Sequence, residues 1–213
     1  MKRLFVYFNR LFIFPLIKLF LIREIKGKEN IPQNGNFISV ANHTNNLDHW
    51  LIALVLNKRL KDVYFLGAKE GLKGFLLVDI LYYLSDTIAI NRKKIDRGKI
   101  LEKIEEILRR NKIIVIYPEG KTNKGEVLSK AKTGAAELAL KTGIPIVPLG
   151  ISSKNLSQIT ITIGKPICYL KEKKLVGIKN KNRSDYYLLL REITDNIMME
   201  ISKLSGKPYI YGD

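Results

Sequence analysis

The stretch NFISVANHTNNLDHWLIALVLNKRL, residues 36–60, changes its hydrophobic period in the middle. Residues 36–42 form a short apolar run rich in β-formers and read as a strand. Residues 47–60 carry apolar side chains at helical spacing. Asp48 is placed to cap the start of that helix, and Lys58 and Arg59 suit its end. A strand passing into a helix through a short polar turn is the opening of a βαβ unit, and the rest of the chain repeats the pattern.

Outward from that stretch, residues 62–68 read as a strand and 71–85 as a helix or a broken pair of helices. Residues 87–91 read as a strand and 95–111 as a helix with Ile100, Leu101, Ile104, Ile107 and Leu108 on one apolar face. Residues 112–118 form a strand of the fully buried kind, and 132–143 a helix ended by Gly143. Strands at 144–151 and 158–164 and a terminal helix at 184–204 complete the pattern. Alternation of this kind predicts an α/β domain with a mostly parallel central sheet flanked by helices. In such sheets chemistry gathers beyond the carboxyl ends of the strands.

The 213 residues suffice for one domain with a full core. Lys and Arg number 37 against 20 Asp and Glu, a net charge of +17. That field attracts anions: acidic lipid, nucleic acid, acidic carrier proteins or phosphorylated substrates. The cations are scattered in ones and twos, and no aromatic-basic signature of nucleic-acid recognition accompanies them, so no nucleic-acid partner is expected. Cys168 stands alone, which excludes a disulfide framework and suits a reducing compartment; the expectation is a small buried apolar residue. Residues 1–23 are basic and aromatic, without a cleavage site or an uncharged span long enough to cross a bilayer. On a helical wheel Lys2, Arg3, Arg10 and Lys18 fall within about 160°, and Pro15 would bend or restart the helix. This predicts an N-terminal membrane-surface helical segment, residues 1–23, ahead of a catalytic domain at 24–213; a core helix is the alternative.

Both histidines of the chain, His43 and His49, lie in the opening stretch. His43 ends a strand and Asp48 begins the next helix, so a short turn can bring the carboxylate to the imidazole. That bond would fix one ring nitrogen as donor and leave the other to accept a proton, the arrangement of a general base. No Gly-x-Ser-x-Gly is present, so the activated hydroxyl would belong to a substrate. A loop-capping histidine is the alternative, and His49 beside Trp50 reads as a packing or pocket residue.

Arg92 follows the strand at 87–91 and is placed either to hold a phosphate or to sit in solvent. Beyond the strand at 112–118 come Glu119, Gly120 and a lysine-rich loop with Lys121, Lys124, Lys130 and Lys132. Lys132 precedes a helix start, where an ammonium and backbone N–H groups suit an anion, unless the loop is simply solvated. The two prolines of IPIVPLGI mark a pocket wall or an edge strand.

Four blocks in this order resemble the glycerolipid acyltransferase family, especially the 1-acyl-sn-glycerol-3-phosphate (lysophosphatidate) acyltransferases. NHTNNLD is similar to the family's Asn-His-x4-Asp, TIAINR to its second block, YPEGKTN to Phe-Pro-Glu-Gly-Thr-Arg-Ser, and IPIVPLGI to its Val-Pro block. The likeness runs over residues 24–165. It implies that His43 deprotonates a glycerol hydroxyl, that Asp48 orients it, and that Arg92, Glu119 and Gly120 bind the glycerol phosphate. It implies acyl-CoA or acyl-carrier protein as donor, a lysophospholipid acceptor, no metal, no other cofactor and no acyl-enzyme. It also implies a place on an anionic membrane surface, expected at the cytoplasmic face of the cell membrane.

The family's Thr-Arg-Ser is here Lys121-Thr122-Asn123, so Lys121, Lys124 or Lys132 is the expected substitute for the missing arginine. The same departure keeps another lysolipid or amphiphilic alcohol open as acceptor. A non-enzymatic binder of anionic membrane or nucleic acid would leave the His43–Asp48 spacing and the Glu-Gly turn without a role.

Overall fold

The computed structural model describes residues 6–68, 87–90, 96–153, 157–172 and 183–212. The expected helix at 71–85 and Arg92 lie outside the described residues. Seven strands form one sheet: β1 (Ile22–Lys26), β2 (Phe37–Ala41), β3 (Val63–Ala68), β4 (Thr87–Ile90), β5 (Ile113–Ile116), β6 (Ile146–Ser153) and β7 (Ile159–Ile163). Their order is β1-β7-β6-β2-β5-β3-β4. All neighbours are parallel except β6 and β7, which run antiparallel.

The helices are α1 (Phe14–Phe20), α2 (Asp48–Val55), α3 (Arg97–Arg109), α4 (Gly134–Thr142) and α5 (Arg183–Ser205). The sheet is covered on both faces, which is why β2 and β5 are wholly buried and apolar except at Ser39. Side chains alternate across them. Ile38, Val40, Ile114 and Ile116 join a core with α3, α4 and α5, whereas Phe37, Ala41, Ile113 and Val115 join a core with α2 and the N-terminal segment. The apolar face of α3 is buried through Leu101, Ile104 and Leu108, and its first turn is capped by Asp96, which accepts from Lys99 N. Gly143, at φ 73°, closes α4 in the left-handed conformation that favours glycine.

Four details depart from the sequence reading. The helix expected over 47–60 stops at Val55 and continues as 3-10 turns over Asn57–Asp62. There Arg59 donates to Gly35 O (2.6 Å) and Pro32 O (3.3 Å), which draws the chain onto the loop ahead of β2. β1 has no counterpart in the sequence reading, because IREIK is a charged edge strand with little apolar signal. It begins at Ile22, so Ile22 and Arg23 belong to the sheet rather than to the N-terminal segment.

The Pro-containing strand β6 is interior, not an edge. Pro148 O accepts from Gly164 N just past the end of β7, so the position lacking an N–H faces that end and costs the β2 ladder nothing. Cys168 is exposed rather than buried. Its neighbour Ile167 turns inward to bridge Ile146, which leaves the cysteine on the outer side.

The N-terminal segment is a π-helical turn over Asn9–Ile13 followed by α1, with Pro15 at the start of the second helix, where its missing N–H is tolerated. Val6 and Phe14 enter the core, and Arg10 donates to Asn57 O. Tyr7, Phe8, Leu11, Phe12, Leu16, Leu19 and Phe20 are exposed. Among the described residues no helix is long and apolar enough to cross a membrane.

Candidate active site

The parallel pairing of β2 with β5 brings the two key loops together. Val40 is aligned with Ile116, so both chains leave the sheet side by side at their carboxyl ends. Three residues further on, His43 N donates to Glu119 Oε1 at 3.1 Å, and Asn123 N donates to His43 O at 2.7 Å. On the other side Asn42, fully buried, holds the end of β2 to β6: its Nδ2 donates to Ile151 O (2.9 Å) and its Oδ1 accepts from Ile151 N (2.7 Å). The backbone around His43 is thus tied to both neighbouring strands.

His43 Nδ1 lies 2.8 Å from Asp48 Oδ2. Asp48 is buried, and the same carboxylate accepts from Thr44 N, from Thr44 Oγ1 (2.9 Å) and from Asn45 N (3.0 Å). A carboxylate surrounded by donors requires Nδ1 to carry a proton, so in the neutral ring the lone pair is on Nε2. Asp48 does not cap its helix as the sequence suggested. The cap position is Leu47, without a side-chain bond, and Asp48 turns back over the turn that precedes it. The imidazole stacks on Tyr117, with ring centroids 4.2 Å apart and planes 20° apart, and meets His49 edge-on at 5.6 Å. One nitrogen is held, one face is covered and the other nitrogen is left for chemistry.

Glu119 is 5% exposed and both its oxygens bind protein groups. Oε1 takes His43 N, and Oε2 takes Asn123 Nδ2 and Ser129 N, each at 2.8 Å. These are the contacts of a brace that joins the histidine turn to the basic loop. Gly120 has φ 71°, and a Cβ there would sit 2.9 Å from Lys132 Cε and 3.0 Å from Nζ. The Lys132 side chain therefore lies across the glycine turn, one loop away from His43, and the Lys132 backbone N–H donates to Pro118 O at 2.9 Å. Lys121, Lys124, Lys130 and Lys132 are exposed. Asn42, Tyr117, Asn123 and Ser129 were given no role by the sequence. The first three lie within the quoted blocks, but Asn42 bonds across to Ile151 and Asn123 N to His43 O, contacts that no local spacing marks.

His49 packs against Phe65 and Tyr117, each at 5.2 Å between centroids. Burial pushes it down from 6.5 to about 4, helped by the charge of His43 and opposed by that of Asp48. It is neutral at pH 7 and adds no charge beside His43. The unfolded chain binds this proton between pH 6.5 and 4 while the folded chain does not, so His49 lowers stability as pH falls through that window. By pH 5 the loss is about 2 kcal/mol. His49→Phe is expected to remove that part. In urea titrations at pH 7 and pH 5, the variant should lose less stability than the parent by about that amount; equal losses would refute the burial argument.

The geometry sets an oriented imidazole beside a basic loop at the carboxyl end of a parallel sheet, and comparison with known proteins assigns the chain to a family. The sequence model of the family described as Acyltransferase matches residues 22–152, and the chain belongs to that family. A 1-acyl-sn-glycerol-3-phosphate acyltransferase of Haemophilus influenzae is 30% identical over 202 residues, covering 89% of this chain and 81% of the relative. The enzyme of that name from Borreliella burgdorferi is 26% identical, covering 84% of this chain and 72% of its own. The crystal structure of a 1-acyl-sn-glycerophosphate acyltransferase from Thermotoga maritima superposes with a TM-score of 0.61 at 17% identity, covering 95% of this chain and 79% of that one, and shares the fold.

Proposed function

We propose that this acyltransferase moves a fatty acyl group from a thioester, acyl-CoA or acyl-carrier protein, to the sn-2 hydroxyl of lysophosphatidate, giving phosphatidate. The observation that carries the reading is the His43–Asp48 pair, held 2.8 Å apart beside the lysine-bearing loop. His43 Nε2 takes the hydroxyl proton as the oxygen attacks the thioester carbonyl carbon. The C–S bond then breaks, and the departing thiolate recovers that proton from the imidazolium. Asp48 holds the ring and offsets the transient positive charge. No enzyme-bound acyl group is needed.

The acceptor's phosphate is taken by Lys132, with Lys121 and Lys124 adding to the local field; Arg92, which the family resemblance assigns to the phosphate, is the further candidate cation. Glu119 and Gly120 shape the turn over which Lys132 lies. The exposed aromatic and aliphatic side chains of residues 7–20, with Arg10 and Lys18 among them, support docking on an anionic bilayer, where the acceptor resides. We place that bilayer at the cytoplasmic face of the cell membrane, the side supplied with acyl thioesters.

Lys121-Thr122-Asn123, in place of the family's Thr-Arg-Ser, favours one second reading: the same chemistry on another lysolipid or amphiphilic alcohol. Purified protein assayed with a fixed thioester against lysophosphatidate, other lysolipids and a long-chain alcohol separates the two. Lysophosphatidate is expected to give the highest kcat/KM, and a strong preference for a phosphate-free acceptor would overturn the first reading. Lys132→Ala should raise the lysophosphatidate KM about tenfold or more, the worth of one charge-assisted contact, and change kcat little. An unchanged KM would remove Lys132 from the acceptor site.

A further inference from the structure

The basic loop between β5 and α4 has no regular secondary structure, so tertiary contacts must set its position. Many of those contacts come from the C-terminal part of the chain, beyond the residues matched by the family. Arg191 on α5 donates through Nη1 to Ala131 O at 2.7 Å, the carbonyl immediately before Lys132. Two further donors of the same guanidinium engage Asp195: Nε to Oδ2 at 2.9 Å and Nη2 to Oδ1 at 2.6 Å. Tyr209, in the tail after α5, donates its hydroxyl to Asp195 Oδ1 at 2.6 Å. The tail also reaches the loop directly. Leu128 N donates to Pro208 O at 2.9 Å, and Lys207 Nζ donates to Gly125 O at 2.6 Å.

We infer that Arg191, Asp195 and Tyr209 are positioning residues that fix Lys132 over the Gly120 turn and so set affinity for the anionic acceptor. The inference rests on the proposed acyl transfer to lysophosphatidate. Asp195 grips the Nε–Nη2 edge of the guanidinium with both oxygens, which aims Nη1 at the Ala131 carbonyl. Arg191 and Asp195 side chains are only 17% and 14% exposed. A pair so sheltered gives little net stability, because desolvation offsets its attraction, but the planar fork fixes direction tightly. Apolar anchoring of the loop is already supplied by Leu128 and Ala131, both buried in the core shared with α5. What the polar network adds is the register of the next residue, Lys132. Burial and the Asp195 bond push the Tyr209 phenol up, so it remains a donor through the neutral range.

The test is a mutant cycle read in KM and kcat. Arg191→Lys keeps a cation for Asp195 but loses the fork that reaches Ala131. It is expected to raise the lysophosphatidate KM about tenfold, with the donor KM and kcat within about twofold. Tyr209→Phe, a milder change that should fold if Arg191→Lys does not, is expected to raise the acceptor KM about threefold. In a Lys132→Ala background neither change should raise the acceptor KM further, because the group being positioned is gone. An unchanged acceptor KM in the single variants, or an undiminished effect without Lys132, would overturn the inference and leave the proposed function standing. Wild-type protein inactive on lysophosphatidate would bring down both.

Discussion

His43→Ala is expected to lower acyl transfer by about a thousandfold, within the range that general acid–base catalysis contributes. In the proposed reaction the imidazole supplies the base: Nδ1 is held 2.8 Å from Asp48, and Tyr117 covers one ring face. The backbone at residue 43 is fixed independently of the ring, through Glu119 and Asn123, so the loop should keep its shape in the variant. Stability should therefore change little beyond the lost ring packing, about 1 kcal/mol. Binding to anionic vesicles, proposed to depend on the N-terminal face, should be unaffected. Steady-state assay alongside vesicle co-sedimentation checks this. Full activity in the variant, or loss of vesicle binding with activity kept, would remove His43 from the role of base.

Asp48→Asn should be nearly as damaging to rate, and more damaging to stability. Four donors converge on the two oxygens of one buried carboxylate. An amide can keep its oxygen where His43, Thr44 N and Asn45 N converge only by aiming its NH2 at Thr44 Oγ1, which already accepts from Asn45 Nδ2; either way the charge that strengthens these bonds is gone. Without that charge the form with the proton on Nδ1 loses its main stabilisation and the Nε2-protonated tautomer, in which the proposed base is a donor, is favoured. We expect kcat to fall about a thousandfold, and unfolding free energy to fall by about 3 kcal/mol for a buried charged acceptor lost from several bonds. The imidazole nitrogen resonances give a separate check. Wild-type His43 should carry its proton on Nδ1 and the variant on Nε2. The same tautomer in both, with activity preserved, would show that the carboxylate does not set the ring.

Glu119 illustrates how far a motif alone can lead. The likeness to the family directed its carboxylate toward a phosphate. In the fold both oxygens meet N–H groups from His43, Asn123 and Ser129, so the residue unites two loops that are distant in sequence. A carboxylate buried in this way contributes geometry, and it leaves the positive field of the loop to the lysines. His49 is similar. Its spacing offers no partner for Asp48, and its position among Phe65, Tyr117 and His43 was invisible until the sheet and α2 were assembled.

The sequence by itself determined whatever depends on short-range periodicity and local chemistry. The largely apolar runs of β2 and β5, the stripe of Leu101, Ile104 and Leu108 on α3, the glycine stop at Gly143 and the meeting of His43 with Asp48 are all spaced within a strand, a helix or a single turn. Tertiary structure alone decided that β5 inserts between β2 and β3, placing Glu119 beside His43. It decided that the proline strand is interior, that a charged strand closes one edge, and that α5 and the tail hold the loop bearing Lys132. The physical reason is the same throughout. Hydrophobic period tells a segment which of its faces must be covered, but pairing order and long-range hydrogen bonds depend on which partner covers it, and that information is shared among segments far apart in the chain.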